Sequence, residues 1–199
     1  MKSTQPIRDK RQVRRLVDYY LKKGNVRNHA LIVLSVFTAL RISDILRLRW
    51  DDVYDFELGC VLASFSITEK KTGKQKSVAL NPAVVSALSL LAEQSACCGH
   101  FLIENSKTGK AISRIQAYRL IRAAAESLEF TERVSCHSLR KTFGYHAWKS
   151  GVSPVVIMDI YNHSSLAVTK RYLGVSQDDR DAVYLNVQCM EEEEISTTA

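Results

Sequence analysis

The run Ala30–Leu40 is apolar on nearly every face, and a helix of that kind has to be surrounded by the rest of its protein. It is too short to cross a bilayer. The run therefore predicts a buried central helix with the other elements packed around it, and Asn28 is placed to cap it. Upstream, Val13, Leu16, Val17, Tyr20 and Leu21 recur at helical spacing. Arg11, Arg14, Arg15, Lys22 and Lys23 fill the remaining faces, and Gly24-Asn25 breaks that helix. Downstream, Ser43 and Asp44 start a short helix packed through Ile45, Leu46 and Leu48.

The pattern then changes period. Val61, Ala63, Phe65 and Ile67 alternate with Leu62, Ser64, Ser66 and Thr68, which predicts a half-buried strand over 61–68. A second strand over Ser77–Leu80 follows the segment KKTGKQK, giving a two-strand ribbon with Lys70, Lys71, Lys74 and Lys76 around its turn. Such a ribbon can probe a nucleic-acid groove; a solvated charged turn is the other reading. Asn81-Pro82 opens a helix to about Ser95, Phe101–Ile103 reads as extended, and Ser113 caps a helix over Arg114–Leu128. That last helix exposes Arg114, Arg119 and Arg122, suited to phosphate contacts or simply to water. The expected class is α+β, mostly α, with a small antiparallel sheet or hairpin.

At 199 residues the chain is expected to form one domain. Residues 1–10 read as loose, 11–176 as the domain, and 177–199 as a weakly apolar helix (Ala182, Val183, Leu185, Val187) leading to the acidic run Glu191–Glu194. The net charge of +7 conceals an asymmetry. Residues 1–50 hold 12 basic and 3 acidic side chains, whereas 177–199 hold 1 and 7. The chain without that tail stands near +13, a field suited to a polyanion. Five cysteines, two of them adjacent, match neither a disulfide framework nor a paired zinc spacing, so reduced thiols in the cytoplasm are expected. No secretory segment or membrane partner is indicated.

Chemistry concentrates in Cys136–Leu173. Ser138 caps a helix beginning HSLRKTF, which sets His137 and Arg140 three apart and able to address one site. Gly151 ends that helix, Ser153-Pro154 opens the next, and Asn162 closes it in a left-handed turn beside His163. Tyr172 lies one short helix further on, next to Lys170 and Arg171. Two imidazoles, a guanidinium and a phenol suit phosphoryl transfer, in which charge develops on non-bridging oxygens and needs fixed donors. Arg41, placed directly after the core helix, requires either a carboxylate partner or a binding site.

The ordered set TALRISDIL, the lysine ribbon, HSLRK, the Asn162-His163 pair and TKRY resembles the motifs of the tyrosine recombinases, the phage-integrase family, across about Lys10 to Leu173. The resemblance implies their helical catalytic domain and makes Arg41, Lys71, His137, Arg140, His163 and Tyr172 the catalytic set, with Asp44 and Lys141 in support. Arg41 and Arg140 would clamp the scissile phosphate while His163 donates to it. His137 would take or share the phenol proton, and Lys71 would protonate the departing 5′ oxygen. Tyr172 would form a 3′-phosphotyrosyl bond. No cofactor or metal is implied, because guanidiniums and imidazoles stand in for a metal's charge.

The implied substrate is double-stranded DNA, contacted also by Lys70, Lys74, Lys76, Arg114, Arg119, Arg122, Lys170 and Arg171. The implied assembly is a homotetramer on DNA, monomeric when free, helped by accessory DNA-binding proteins and located with the nucleoid. The tail after Tyr172 would dock on a neighbouring protomer. Three departures stand out: Ala39 and Asn162 replace usual glycines, Lys141 replaces a frequent histidine, and the amino-terminal clamp domain is missing. The last suggests a compact form similar to the fimbrial-switch inverting recombinases, or a catalytic fragment. Relaxation of supercoils in the manner of a type IB topoisomerase, and a silent DNA-binding regulator on the same fold, are the competing readings.

Overall fold

The computed structural model describes residues 4–96 and 98–187. Helix α1 (Lys10–Leu21) packs on α2 (Val26–Phe37), which is the central helix. Ala30, Leu31, Ile32, Val33 and Leu34 are all at or below 1% exposed, enclosed by α1, by α5 (Pro82–Ser95) and by α7 (Cys136–Lys149). The cap is Asn25 rather than Asn28: the Asn25 side chain accepts the Asn28 N–H, and Asn28 itself is buried with its Oδ1 bound by Arg27.

Beyond α2 the chain forms α3 (Ile42–Ile45), α4 (Trp50–Val53), β1 (Tyr54–Asp55), β2 (Cys60–Val61), β3 (Ser64–Thr68) and β4 (Gln75–Ala79). After α5 come β5 (Glu104–Asn105), β6 (Lys110–Ala111) and α6 (Arg114–Ser127). Following α7 are α8 (Pro154–Tyr161), α9 (Leu166–Leu173) and α10 (Gln177–Asn186). Among the described residues the strands make three two-stranded antiparallel sheets, so the mostly helical class with small sheets holds.

The expected strand over 61–68 is two pieces. Val61 pairs back to Tyr54, Leu62 N–H binds the Val53 carbonyl, and only from Ser64 does the chain pair with β4. The β3–β4 register sets Phe65 opposite Val78 and Ile67 opposite Lys76. Phe65 and Val78 are buried, so the shared face points inward and carries Lys76 with it. Lys76 is thus not presented at the ribbon's outer surface as expected; its ammonium is buried.

Residues 4–9 are pinned rather than loose. Ile7 is 6% exposed, its N–H donates to Thr142 Oγ1 at 2.9 Å, and its carbonyl accepts from His146 Nε2 at 3.0 Å. Lys141 Nζ donates to the Thr4 carbonyl at 2.7 Å, and Asp9 caps α1. This apolar anchor at Ile7, inside a polar stretch, carries no periodic signal. At the other end, α10 buries none of its residues and is tied back through a Lys149–Asp179 ion pair. Cys60, Cys98 and Cys136 are free thiols. Cys97 and the Glu191–Glu194 run lie outside the described residues.

Three helices frame the site. The α7 cap is Ser135, in a reciprocal box with Ser138, one turn ahead of the expected cap. Ser153 caps α8, and Asn162 ends it in the left-handed conformation at φ 52°. Tyr161, fully buried, locks α8 to α7: its hydroxyl accepts the Gly144 N–H at 2.8 Å and donates to the Arg140 carbonyl at 2.5 Å. A Cβ at Gly144 would sit 2.6 Å from that hydroxyl. Gly144→Ala is therefore expected to lose about 2 kcal/mol of stability through overpacking. A thermal melt would read this as a drop of about 4–8 °C.

Candidate active site

The site forms where the end of α2, the β3–β4 ribbon and helices α7 to α9 meet. Ala39 takes a left-handed turn at φ 55°, a conformation costing a non-glycine residue about 1–2 kcal/mol. That turn exposes the Ala39 carbonyl to the Arg140 guanidinium, whose Nη1 donates to it. Nη2 of Arg140 donates to the Tyr161 carbonyl at 3.2 Å, and the cation stands 4.7 Å from the Tyr161 ring centre. Arg140 is only 2% exposed, so these contacts fix it rigidly.

Arg41, the N-cap residue of α3, places Nη1 2.9 Å from Glu69 Oε2. The two meet as an ion pair. Glu69 is 1% exposed and also accepts from Thr72 Oγ1 at 2.8 Å and Asn162 Nδ2 at 3.1 Å. Burial pushes its pKa up, but the Thr72 hydrogen bond and the Arg41 guanidinium beside it outweigh that and hold the carboxyl ionised. Glu69 thus takes the role expected of Asp44. Asp44, fully buried, instead accepts the Lys70 N–H at 3.0 Å and anchors the base of the ribbon's turn.

Tyr172 projects from α9 so that its hydroxyl lies 3.0 Å from His137 Nδ1. Its ring is edge-on to both His137 (4.8 Å between centres) and His163 (4.7 Å). His163 stacks on Tyr161 and sets Nδ1 3.0 Å from Thr169 Oγ1. Burial, then the charges of Lys141, Arg140, Arg41 and Lys71, hold the His137 pKa down to about 4. Burial, then Arg140 and Arg41, do the same to His163, also about 4. Burial raises the Tyr172 pKa more than Arg140 and Arg41 lower it. At neutral pH the site thus holds a protonated phenol beside a neutral imidazole able to accept its proton. Lys141, bound to Thr4, keeps its ammonium 5.4 Å from the Tyr172 ring centre.

The two imidazoles make stability depend on pH. Unfolded, they bind protons at about 6.5; folded, at about 4. Between those values only the unfolded chain is protonated, so acidification through this window favours unfolding. The melting temperature is expected to fall between pH 6.5 and 4, and the double variant His137→Asn/His163→Asn to show a shallower fall.

Arg41, Lys71, His137, Arg140, His163 and Tyr172 all line one pocket of about 490 Å³, together with Arg114 and Cys136. A larger groove of about 630 Å³ between α1, α2 and α7 holds none of the six, and its lining is mainly apolar. Among the other basic residues singled out, Lys70 and Lys74 are exposed beside the pocket at the ribbon's turn. Arg119, Lys170 and Arg171 are exposed but outside it, and Arg122 is engaged by Glu126.

Three comparisons bear on this arrangement. The sequence profile of the phage integrase family matches residues 8–178. A probable integrase/recombinase, YoeC of Bacillus subtilis, is 34% identical over 184 residues, covering 92% of this chain and 97% of that protein. Tyrosine recombinase XerD of Mycobacterium leprae is 33% identical over 163 residues, covering 76% of this chain but 49% of its own length. The chain thus spans about half of the XerD relative and nearly all of YoeC. In fold, the crystal structure of XerA recombinase superposes with a TM-score of 0.75 at 19% identity, over 92% of this chain and 65% of that one. The XerH site-specific recombinase in a post-cleavage complex with its palindromic difH substrate gives 0.73 at 18%, over 94% and 55%.

Proposed function

The chain belongs to the phage integrase family, and from that premise we propose that it is a site-specific DNA recombinase using Tyr172 as its nucleophile. The observation that carries the proposal is the 3.0 Å contact between the Tyr172 hydroxyl and His137 Nδ1, inside a pocket also lined by Arg41, Arg140, His163 and Lys71.

In the forward step the Tyr172 oxygen bonds to phosphorus as the phosphorus–5′ oxygen bond breaks. The phenol proton passes to His137 Nδ1, with the other imidazole proton on Nε2. Lys71, on the ribbon's turn at the pocket's edge, delivers a proton to the departing 5′ oxygen. Arg41 and Arg140 face the non-bridging oxygens, where two fixed guanidiniums stabilise the developing charge. In the tautomer that accepts the Thr169 hydroxyl at Nδ1, in place of that hydroxyl's bond to the Ser165 carbonyl, His163 Nε2–H donates to the same phosphate. The reverse step, with a 5′ hydroxyl from another strand as nucleophile, restores the phosphodiester. One ester replaces another at each stage, so rejoining needs no external energy.

The geometry favours delivery of Tyr172 to its own subunit's phosphate, since phenol and clamp meet within one chain. The body near +13 supplies the long-range attraction for DNA. Arg114 lines the pocket, Lys70 and Lys74 share the ribbon's turn with Lys71, and Arg119, Lys170 and Arg171 are read as outer contacts. Helix α10 leaves Val183, Tyr184 and Leu185 at 60%, 83% and 83% exposed, and is read as the piece that docks on a neighbouring protomer.

The test is capture. The protein is incubated with fragmented DNA from its source organism, the mixture is denatured in detergent, and protein-linked DNA is recovered and sequenced. A recombinase leaves linked fragments that converge on one site, whereas linkage without a shared sequence indicates a relaxing enzyme. A regulator leaves no linked DNA, which would refute the proposal.

A further inference from the structure

Among the described residues, every buried side-chain nitrogen or oxygen without a hydrogen-bond partner belongs to one of five residues: Arg41, Asp44, Glu69, Lys76 and Arg140. Four of these are accounted for by the clamp, the carboxylate behind it and the anchor of the ribbon. Lys76 is not. It sits on β4 opposite Ile67, on the face that carries buried Val78. An aliphatic side chain would suffice for packing there, yet the position holds a cation with its Nζ shut off from water and unbound.

Its surroundings explain the charge. Glu69 at the end of β3 and Asp44 on α3 face it with two carboxylates, while Arg41 at the start of α3 and Arg140 on α7 face it with two guanidiniums. Without Lys76 these four cancel, and the surplus positive charge would come from outside the buried group, from Arg47 beside Asp44 and from Lys71 and Arg114 lining the pocket. With Lys76 protonated, the buried group carries one net positive charge for one phosphate to balance.

We propose that Lys76 is a positioning residue for strand cleavage, supplying from behind the clamp the surplus charge that lets Arg41 and Arg140 hold the scissile phosphate. The inference rests on the recombinase reading above and goes beyond it, because Lys76 lies outside the pocket and does not touch the reacting atoms. Burial, then the repulsion of Arg140 and Arg41, brings its ammonium down to about 8, against the pull of Glu69 and Asp44. The surplus charge is then lost as pH rises through 8.

The experiment follows adduct formation on captured site DNA from pH 6 to 10, in single turnover. Wild type is expected to lose rate above about pH 8. Lys76→Arg, charged throughout, is expected to carry its plateau at least one pH unit higher. Lys76→Met is expected to be about 10- to 100-fold slower at pH 7, with the alkaline fall flattened. A fall at the same pH in Lys76→Arg, or a wild-type rate in Lys76→Met, overturns the inference. Because either variant could misfold, the Lys76 side chain of the free wild-type protein is also titrated by NMR. A midpoint near 8 supports the inference, and one near 10.4 overturns it. Wild type that forms no adduct at all would sink the recombinase reading itself, whereas adduct formation with an unmoved alkaline limb sinks only the role of Lys76.

Discussion

Tyr172→Phe is expected to abolish covalent capture of DNA, with a loss of at least ~10⁴-fold in adduct formation, the scale on which removal of a nucleophile acts. The change is conservative for the fold. The phenylalanine ring keeps the edge contacts with His137 and His163 and the packing on Tyr161, 5.1 Å between centres. The hydroxyl disappears, with its contact to His137 Nδ1 and its interaction with the Arg140 guanidinium. Stability should therefore stay within about 1 kcal/mol of wild type, a shift of about 2–4 °C at most in melting temperature. DNA affinity should be kept as well, because the cations that attract phosphate are untouched. Gel-shift titration, melting and detergent-resistant capture on one preparation separate these outcomes. A variant that no longer binds DNA would show instead that the phenol matters for assembly of the site.

Arg140→Ala is expected to damage fold and chemistry together. The guanidinium is buried and holds the Ala39 and Tyr161 carbonyls, and its loss leaves both unpaired. It also leaves Glu69 and Asp44 facing less positive charge. Breaking such a buried charged tie costs about 3–5 kcal/mol. A drop of about 10 °C in melting temperature is expected. Measured well below both melting points, the adduct rate should fall a further ~10³-fold for the lost phosphate donors. Arg140→Lys should recover part of the stability and little of the rate, since an ammonium cannot span two carbonyls and a phosphate. Recovery of both by lysine would contradict the clamp geometry.

Much of this architecture is legible in the residues, and the failures have physical causes. The central helix announces itself because an apolar run on all faces has no other stable place. Helix α5 begins at Asn81-Pro82, as an Asn cap followed by proline dictates, and Asn162 adopts the left-handed turn that sets His163 at the helix end. The six side chains expected at the site do line one pocket. Motif order identifies members of a site without specifying their partners, and the partners are where the reading erred.

The resemblance of TALRISDIL to the family's motif makes Asp44 the expected support of Arg41, but a short helix turns it under the ribbon instead. Glu69 was hidden in a charged segment. Its signal is the alternation itself: Phe65 and Ile67 of β3 share one parity with Glu69 just beyond it, and Val78 and Lys76 share one parity of β4. Carried one step further, the period of two points both charges inward. Ile7 lay beyond any such reading, since a single apolar residue in a polar segment has no period to reveal where it docks.

The atom that carries the DNA is the most direct test of Tyr172 as the nucleophile. Captured complexes digested with nuclease and protease leave a peptide bearing a nucleotide, and fragmentation in the mass spectrometer locates it. The expected result is a nucleotide joined through a 3′ phosphate to the Tyr172 oxygen. Modification at Tyr161, at a serine or at a 5′ phosphate would contradict the arrangement of phenol, imidazole and guanidiniums described above.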